Sequence, residues 1–253
     1  MVRRLLARFG FAAIGVLYVS IGILTAQVAF FGARGQTIGV PEALDFLRRL
    51  PHGIWILVGL AVGLGGFAVL KFAQARSRRR RFLERVGHAL AGLGYAALCW
   101  GALRLLLSSM LQTRDGARGE EVFWLFSHPW GRAALVTAGA LVVGTGFFEI
   151  YQGWSGRLKE KFARRKLPAA AARFATRSAR FGLAARGFVL LMIGSFWIRS
   201  GQDLDPDEVR GMGEALGTLS LSPFGRAAMG VVALGLVGYG LYMWVLAVFN
   251  RSA

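Results

Sequence analysis

Six long apolar runs dominate the chain: Phe9–Phe31, Gly53–Ala73, Val86–Leu107, Gly131–Gln152, Phe181–Ile198 and Ala227–Phe249. About 20 mostly apolar residues are needed for a helix to cross hydrocarbon. Backbone polar groups find no water there, so each run is expected to be a helix that satisfies its own hydrogen bonds. Barrel strands would be shorter and would alternate apolar with polar positions, which these runs do not. The first run follows Arg3 and Arg4 and so has the outline of a secretion signal. It is longer than a signal core, however, and its opening pattern returns twice later, so a retained span is expected. Three short segments lie between runs on one side: Val40–Leu50, Gly119–Ser127 and Gly211–Ser220. In the first, Leu44, Leu47 and Leu50 share a helical face while Glu42, Asp45 and Arg49 are polar. That pattern predicts an interfacial helix lying in the headgroup plane.

The pattern repeats. Arg8-Phe9-Gly10, Gly15, Tyr18 and Gly22 open the first unit. Arg85-Val86-Gly87, Gly92 and Tyr95 open a second, and Arg180-Phe181-Gly182, Gly187 and Gly194 a third. Pro51-His52-Gly53, Pro129-Trp130-Gly131 and Pro223-Phe224-Gly225 begin the even-numbered runs. Glu42, Glu120 and Glu214 each stand nine residues before the proline. The chain therefore divides into repeat 1 (1–76), repeat 2 (77–156), a basic linker (157–178) and repeat 3 (179–253), each repeat a pair of spans. The expected fold is an all-α membrane protein of six transmembrane helices. All three repeats start on the same side, so their symmetry axis should run along the membrane normal, giving a pseudo-threefold arrangement.

Ala7-Arg8-Phe9-Gly10-Phe11-Ala12-Ala13-Ile14-Gly15 and Ala179-Arg180-Phe181-Gly182-Leu183-Ala184-Ala185-Arg186-Gly187 carry a resemblance to the bacterial membrane family called domain of unknown function 1206. The middle copy, Glu84 to Gly92, is more degenerate. The chain resembles three tandem copies of that domain. The resemblance implies a bacterial membrane protein. It transfers no catalytic residues, because the family has no assigned activity.

Charge sharpens the topology. The chain of 253 residues is 55% apolar and 17% charged, with a net charge of +18. The basic residues concentrate on one side of the spans: Arg3, Arg4 and Arg8; Arg76, Arg78, Arg79, Arg80, Arg81 and Arg85; and the stretch from Arg157 to Arg180. Glu84 and Glu160 are the acids of that side. The positive-inside rule makes it cytoplasmic, with both termini there and the chain in the bacterial inner membrane. Arg78, Arg79, Arg80, Arg81, Arg164, Arg165 and Lys166 are expected to meet anionic headgroups. The charge is spent on orientation, and no nucleic-acid partner is expected.

Small residues let membrane helices approach closely. Gly15, Gly22, Gly59, Gly63, Gly92, Gly187 and Gly194 are the expected packing positions. Gly59–Gly63 forms a GxxxG pair, and Ala97–Gly101 and Ala140–Gly144 are its small-residue variants. Ionisable groups within spans are expensive and point to function. Three qualify: Arg104, Glu149 and Arg186. Each lies near enough to a span end to snorkel. The sharper expectation is an intramembrane Glu149–Arg186 ion pair. His52, His88 and His128 show no metal-ligand spacing, and Cys99 is the one cysteine, so no metal and no cofactor are expected. Tyr18, Tyr95 and Thr145 are polar groups scattered through the runs. Three functions stand open. The favoured one is a non-enzymatic accessory, scaffold or lipid-organising component, with a membrane-protein partner or a homo-oligomer. The others are a channel or transporter along the pseudo-threefold axis, and an enzyme acting on lipid or quinone.

Overall fold

The computed structural model describes residues 2–31, 39–76, 82–111, 128, 130–155, 169–203, 212–220 and 224–249. These form eight helices and no strand. In chain order they are α1 (Val2–Phe31), α2 (Val40–Arg49), α3 (Gly53–Ala75), α4 (Phe82–Leu111), α5 (Gly131–Trp154), α6 (Ala169–Asp203), α7 (Met212–Ser220) and α8 (Gly225–Phe249). Six of them, α1, α3, α4, α5, α6 and α8, are long and apolar enough to cross a membrane. The prolines of the chain, at 41, 51, 129, 168, 206 and 223, all lie outside these six, so none of them interrupts a span.

The long helices pack in the order α4–α3–α1–α8–α6–α5. Spans consecutive in the chain are therefore neighbours, and α8 returns to α1. The exception is α4 and α5, which share no comparable interface among the described residues. Ile14, Leu17, Ile21, Leu57, Leu64 and Leu236, buried along α1, α3 and α8, form the centre of the core.

Helix α2 is held at its start by a short cap: the Gly39 N–H donates to the Glu42 carboxylate at 2.8 Å. Ala43, Leu44 and Leu47 are buried, and the helix packs on α1, α3 and α4. Its apolar face thus meets the ends of the spans. This departs from the expected face, because Leu50 is exposed. On the polar side Asp45 accepts hydrogen bonds from Arg48 and Arg49. Burial raises the Asp45 carboxyl, but these two guanidiniums outweigh it and hold it below its ordinary value of 3.8. The corresponding helix α7 buries Ala215 and Leu216 against α6 and α8. The expected middle segment, 119–127, lies outside the described residues, as do Arg78, Arg79, Arg80, Arg81, Arg164, Arg165 and Lys166.

Helix α6 is longer than the apolar run that announced it. It begins at Ala169, within the stretch expected to be a linker, and spans 35 residues, about 52 Å at 1.5 Å per residue. Its early part is not free, because Ala175 and Ala179 are fully buried.

Candidate functional site

Two glycine seams build the interior. Along α5 the buried positions Gly139, Gly146, Glu149 and Gly153 fall on one helical face. That face meets Gly187 and Gly194 of α6. A Cβ on Gly146 would sit 2.7 Å from the Gly187 carbonyl oxygen, and one on Gly139 would sit 2.9 Å from that of Gly194. The converse contacts, from Gly187 and Gly194 back to Gly146 and Gly139, are also 2.7 Å. The helices therefore touch backbone to backbone, which only glycine permits. The α1–α8 seam has the same construction. A Cβ on Gly240 would lie 2.7 Å from the Gly15 carbonyl oxygen, and one on Gly22 would lie 2.9 Å from that of Ala233.

Arg186 directly precedes Gly187, and Glu149 comes one turn after Gly146. The close glycine contact thus carries the two charged residues to the same level. The Arg186 guanidinium donates through Nη1 to Glu149 Oε1. The side chains are only 18% and 11% exposed. Both side chains turn to each other and not to solvent, unlike the snorkelling that their nearness to span ends allowed. Arg186 Nε donates to the Tyr18 hydroxyl of α1 at 2.7 Å. The guanidinium also lies over two rings, 5.5 Å from the centre of Tyr18 and 5.1 Å from that of Tyr239 on α8. Cation–π contacts of this kind strengthen when desolvated. Tyr18 and Tyr239 meet edge to face at 4.8 Å. Tyr95 of α4 lies within electrostatic reach of Arg186, Glu149 and Tyr239, and packs edge to face on Phe67 of α3 at 4.8 Å. All six long helices thus send a side chain to one place.

The cluster sits at different levels along its helices. Glu149 stands five residues from the end of α5, yet it lies beside Arg186 and Tyr18, the latter at mid-length of α1. The cause is the short α5. Its Gly153 already packs on Arg180, eleven residues inside α6, so α6 runs on past the end of α5. Two buried atoms here lack a hydrogen-bond partner: Glu149 Oε2 and Arg180 Nε.

Arg180 belongs to the repeated Arg-x-Gly motif, and its relatives have a defined role. Arg8 Nε donates to the Ala247 carbonyl of α8 at 2.9 Å, and Arg85 Nε donates to the Ala75 carbonyl of α3 at 3.0 Å. Each arginine therefore ties its span to the last turn of an even-numbered span. There it satisfies an orphan carbonyl and meets the negative end of the helix dipole. The repeated position was visible in the sequence, but this role was not read from it.

Other expected residues fall as follows. Gly63 packs on Ala13 and the Phe9 carbonyl, and Gly92 on the Phe72 ring. Gly59 faces outward with nothing within 4 Å of a would-be Cβ, so the GxxxG pair packs through one member only. Gly144 is likewise open, and the working spacing on α5 is Gly139–Gly146 instead. The Cys99 thiol donates to the Ala61 carbonyl at 3.2 Å. His128 stands 5.3 Å from the Trp130 ring. Among the described residues no three His, Cys, Asp or Glu side chains converge on a point.

The fold and site define an all-helical, multi-pass membrane protein with an ion pair among tyrosines between its spans. The chain belongs to the family described as Domain of Unknown Function (DUF1206), which matches residues 9–78 and 181–250, together more than half its length. These stretches are the first and third sequence units, and the middle unit lies outside the match. The chain is also similar to the uncharacterized protein YxxB of Bacillus subtilis (strain 168), 26% identical over 253 residues, covering 96% of this chain and 90% of that protein. No solved structure matches it.

Proposed function

We propose that this chain is a non-enzymatic accessory or scaffold component of a bacterial inner membrane, with both termini cytoplasmic. The observation that carries the reading is the interior. Spans meet backbone to backbone at Gly146–Gly187 and Gly15–Gly240, and Glu149 and Arg186 pair with each other. Alternating-access transporters instead tend to use interrupted helices around a midplane site, and here the prolines stay outside the spans.

The reading includes a middle repeat and a pseudo-threefold plan. Equivalent contacts support it. Ala247 and Ala75, the acceptors of Arg8 and Arg85, each stand 22 residues after the glycine of their Pro-x-Gly. Gly153, which packs on Arg180, stands at the same distance from Gly131. The Arg78–Arg81 run and Arg164, Arg165 and Lys166 then hold anionic headgroups by the positive-inside logic. Partners are lipids and a membrane protein or second copy, with no nucleic acid.

The test is native mass spectrometry after gentle extraction from the cell's own membrane. A stoichiometric protein partner is the expected result. A lone chain that conducts solute in liposome flux assays would overturn the reading. One observation favours that second reading, a pathway through the bundle: Glu149, Arg186 and three tyrosines gather where all the spans converge.

A further inference from the structure

We infer that the Glu149–Arg186 cluster is a binding site for a neutral hydroxyl group on an apolar molecule, an alcohol or phenol dissolved in the bilayer. The inference rests on the chain spanning a membrane and is independent of the scaffold role.

The demand comes from one atom. Glu149 Oε1 is taken by Arg186, while Oε2 is buried and has no hydrogen-bond partner. A carboxylate oxygen is an acceptor only, and leaving it unmet in a low-dielectric interior is costly. A ligand that answers it must bring a donor. The charge of the surroundings then selects among donors. The pair is already neutral, and Arg180, six residues before Arg186 on α6, adds a further guanidinium, with a buried Nε that also lacks a partner. A cationic ligand would meet these positive groups. An anionic ligand would meet the carboxylate itself. A neutral O–H satisfies Oε2 and leaves the ion pair intact.

The surroundings are aromatic. Tyr18, Tyr239, Tyr95 and Phe67 pack ring on ring around the pair. The site also has a bilayer side. Helices α4 and α5 share no comparable interface among the described residues, yet each sends a residue, Tyr95 and Glu149, into the cluster. Outward of these, Leu103 and Leu107 of α4 and Leu141 and Phe148 of α5 are exposed. Oε2 itself is sealed in this structure, so an alcohol entering between α4 and α5 would have to part these helices, passing apolar side chains.

The experiment uses the full-length protein in phosphatidylethanolamine–phosphatidylglycerol vesicles and two probes. One is a diazirine-bearing decanol. The other is its methyl ether, which has the same tail but no donor. After illumination, labelled peptides are located by mass spectrometry. The alcohol is expected to label the segments carrying Tyr95, Glu149 and Tyr239 at least tenfold above the ether. Excess 1-decanol should abolish the labelling, and excess decyl methyl ether should not. The double variant Glu149→Leu with Arg186→Met removes the orphan oxygen without stranding a charge, and should bring alcohol labelling down to the ether level. Equal labelling by both probes in the unmodified protein would overturn the inference and assign Oε2 to water. Undiminished preference for the alcohol in a folded double variant would overturn it as well. The two-probe comparison needs no variant, so it decides the matter even if the double variant does not fold.

Discussion

The α1–α8 and α5–α6 seams are the same device with different fillings. In both, antiparallel helices touch at small residues seven apart, all glycine in the α5–α6 seam and Gly15, Gly22, Gly240 and Ala233 in the α1–α8 seam. In the α5–α6 seam the residue before Gly187 is Arg186, and the residue one turn after Gly146 is Glu149. In the α1–α8 seam the matching residues are Ile14, before Gly15, and Met243, one turn after Gly240. Ile14 is fully buried and Met243 is 7% exposed. The backbone contact therefore does not need an ion pair, since an apolar pair fills the same place in the sister seam. The charges in the α5–α6 seam are an addition to packing, and their cost calls for a separate use.

The sharpest way to break the comparison is to convert one seam into the other in steps. Arg186→Ile alone strands Glu149, and Glu149→Met alone strands Arg186. Each should cost about 3–5 kcal/mol, the usual penalty for one member of a buried pair. The double replacement rebuilds the α1–α8 filling and should return to within about 1 kcal/mol of the parent. Reversible unfolding in detergent gives the four corners of this cycle, and additive single effects would mean that the two residues do not act as a pair. The next largest effect tests the glycines. Gly146→Ala or Gly187→Ala puts a methyl against an opposing carbonyl and should cost about 1–3 kcal/mol by overpacking. Gly59→Ala, on the open face, should be neutral or slightly stabilising through helix propensity. Equal losses at Gly59 and Gly146 would remove the seam as the packing element.

A smaller effect is expected at the helix ends. Arg8→Ala and Arg85→Ala should each cost about 1 kcal/mol by releasing a terminal carbonyl. Faster amide exchange would then be confined to the last turns of α8 and α3. The smallest concerns α2. Asp45→Asn should cost a few tenths of a kcal/mol, as exposed ion pairs do. The sign with pH follows from the lowered Asp45 carboxyl. Its contribution is complete above the ordinary carboxylate value and fades as pH falls through the lower folded value. Thermal melts of parent and variant should therefore converge in strong acid, and a constant gap would assign the loss to packing.

Much of this architecture was legible because length and hydropathy decide where a span can lie. Glu149 and Arg186 stood out as charges inside apolar runs, and the seven-residue glycine spacing marked the seams. The level of the site on each helix was not legible. It depends on α5 stopping beside Arg180, eleven residues into α6, and no local pattern around Trp154 reports where a neighbour continues. The tyrosines were missed for the same reason: Tyr18, Tyr95 and Tyr239 look scattered until helix levels are known. Gly59 misled because GxxxG gives a spacing and not a direction. The role of Arg8 and Arg85 needed the end of another helix.

Matched seams create an assembly problem. If α5 came to rest on α1 in place of α6, the glycines would still mesh and the apolar contacts would be nearly as good. Glu149 would then face Ile14, and Arg186 would be left to face Met243 or lipid. A buried charge against an aliphatic side chain is a penalty of several kcal/mol, far more than small differences in packing. Such a pair would act as an address, letting hairpins with like seams tell each other apart while they are still finding each other in the bilayer.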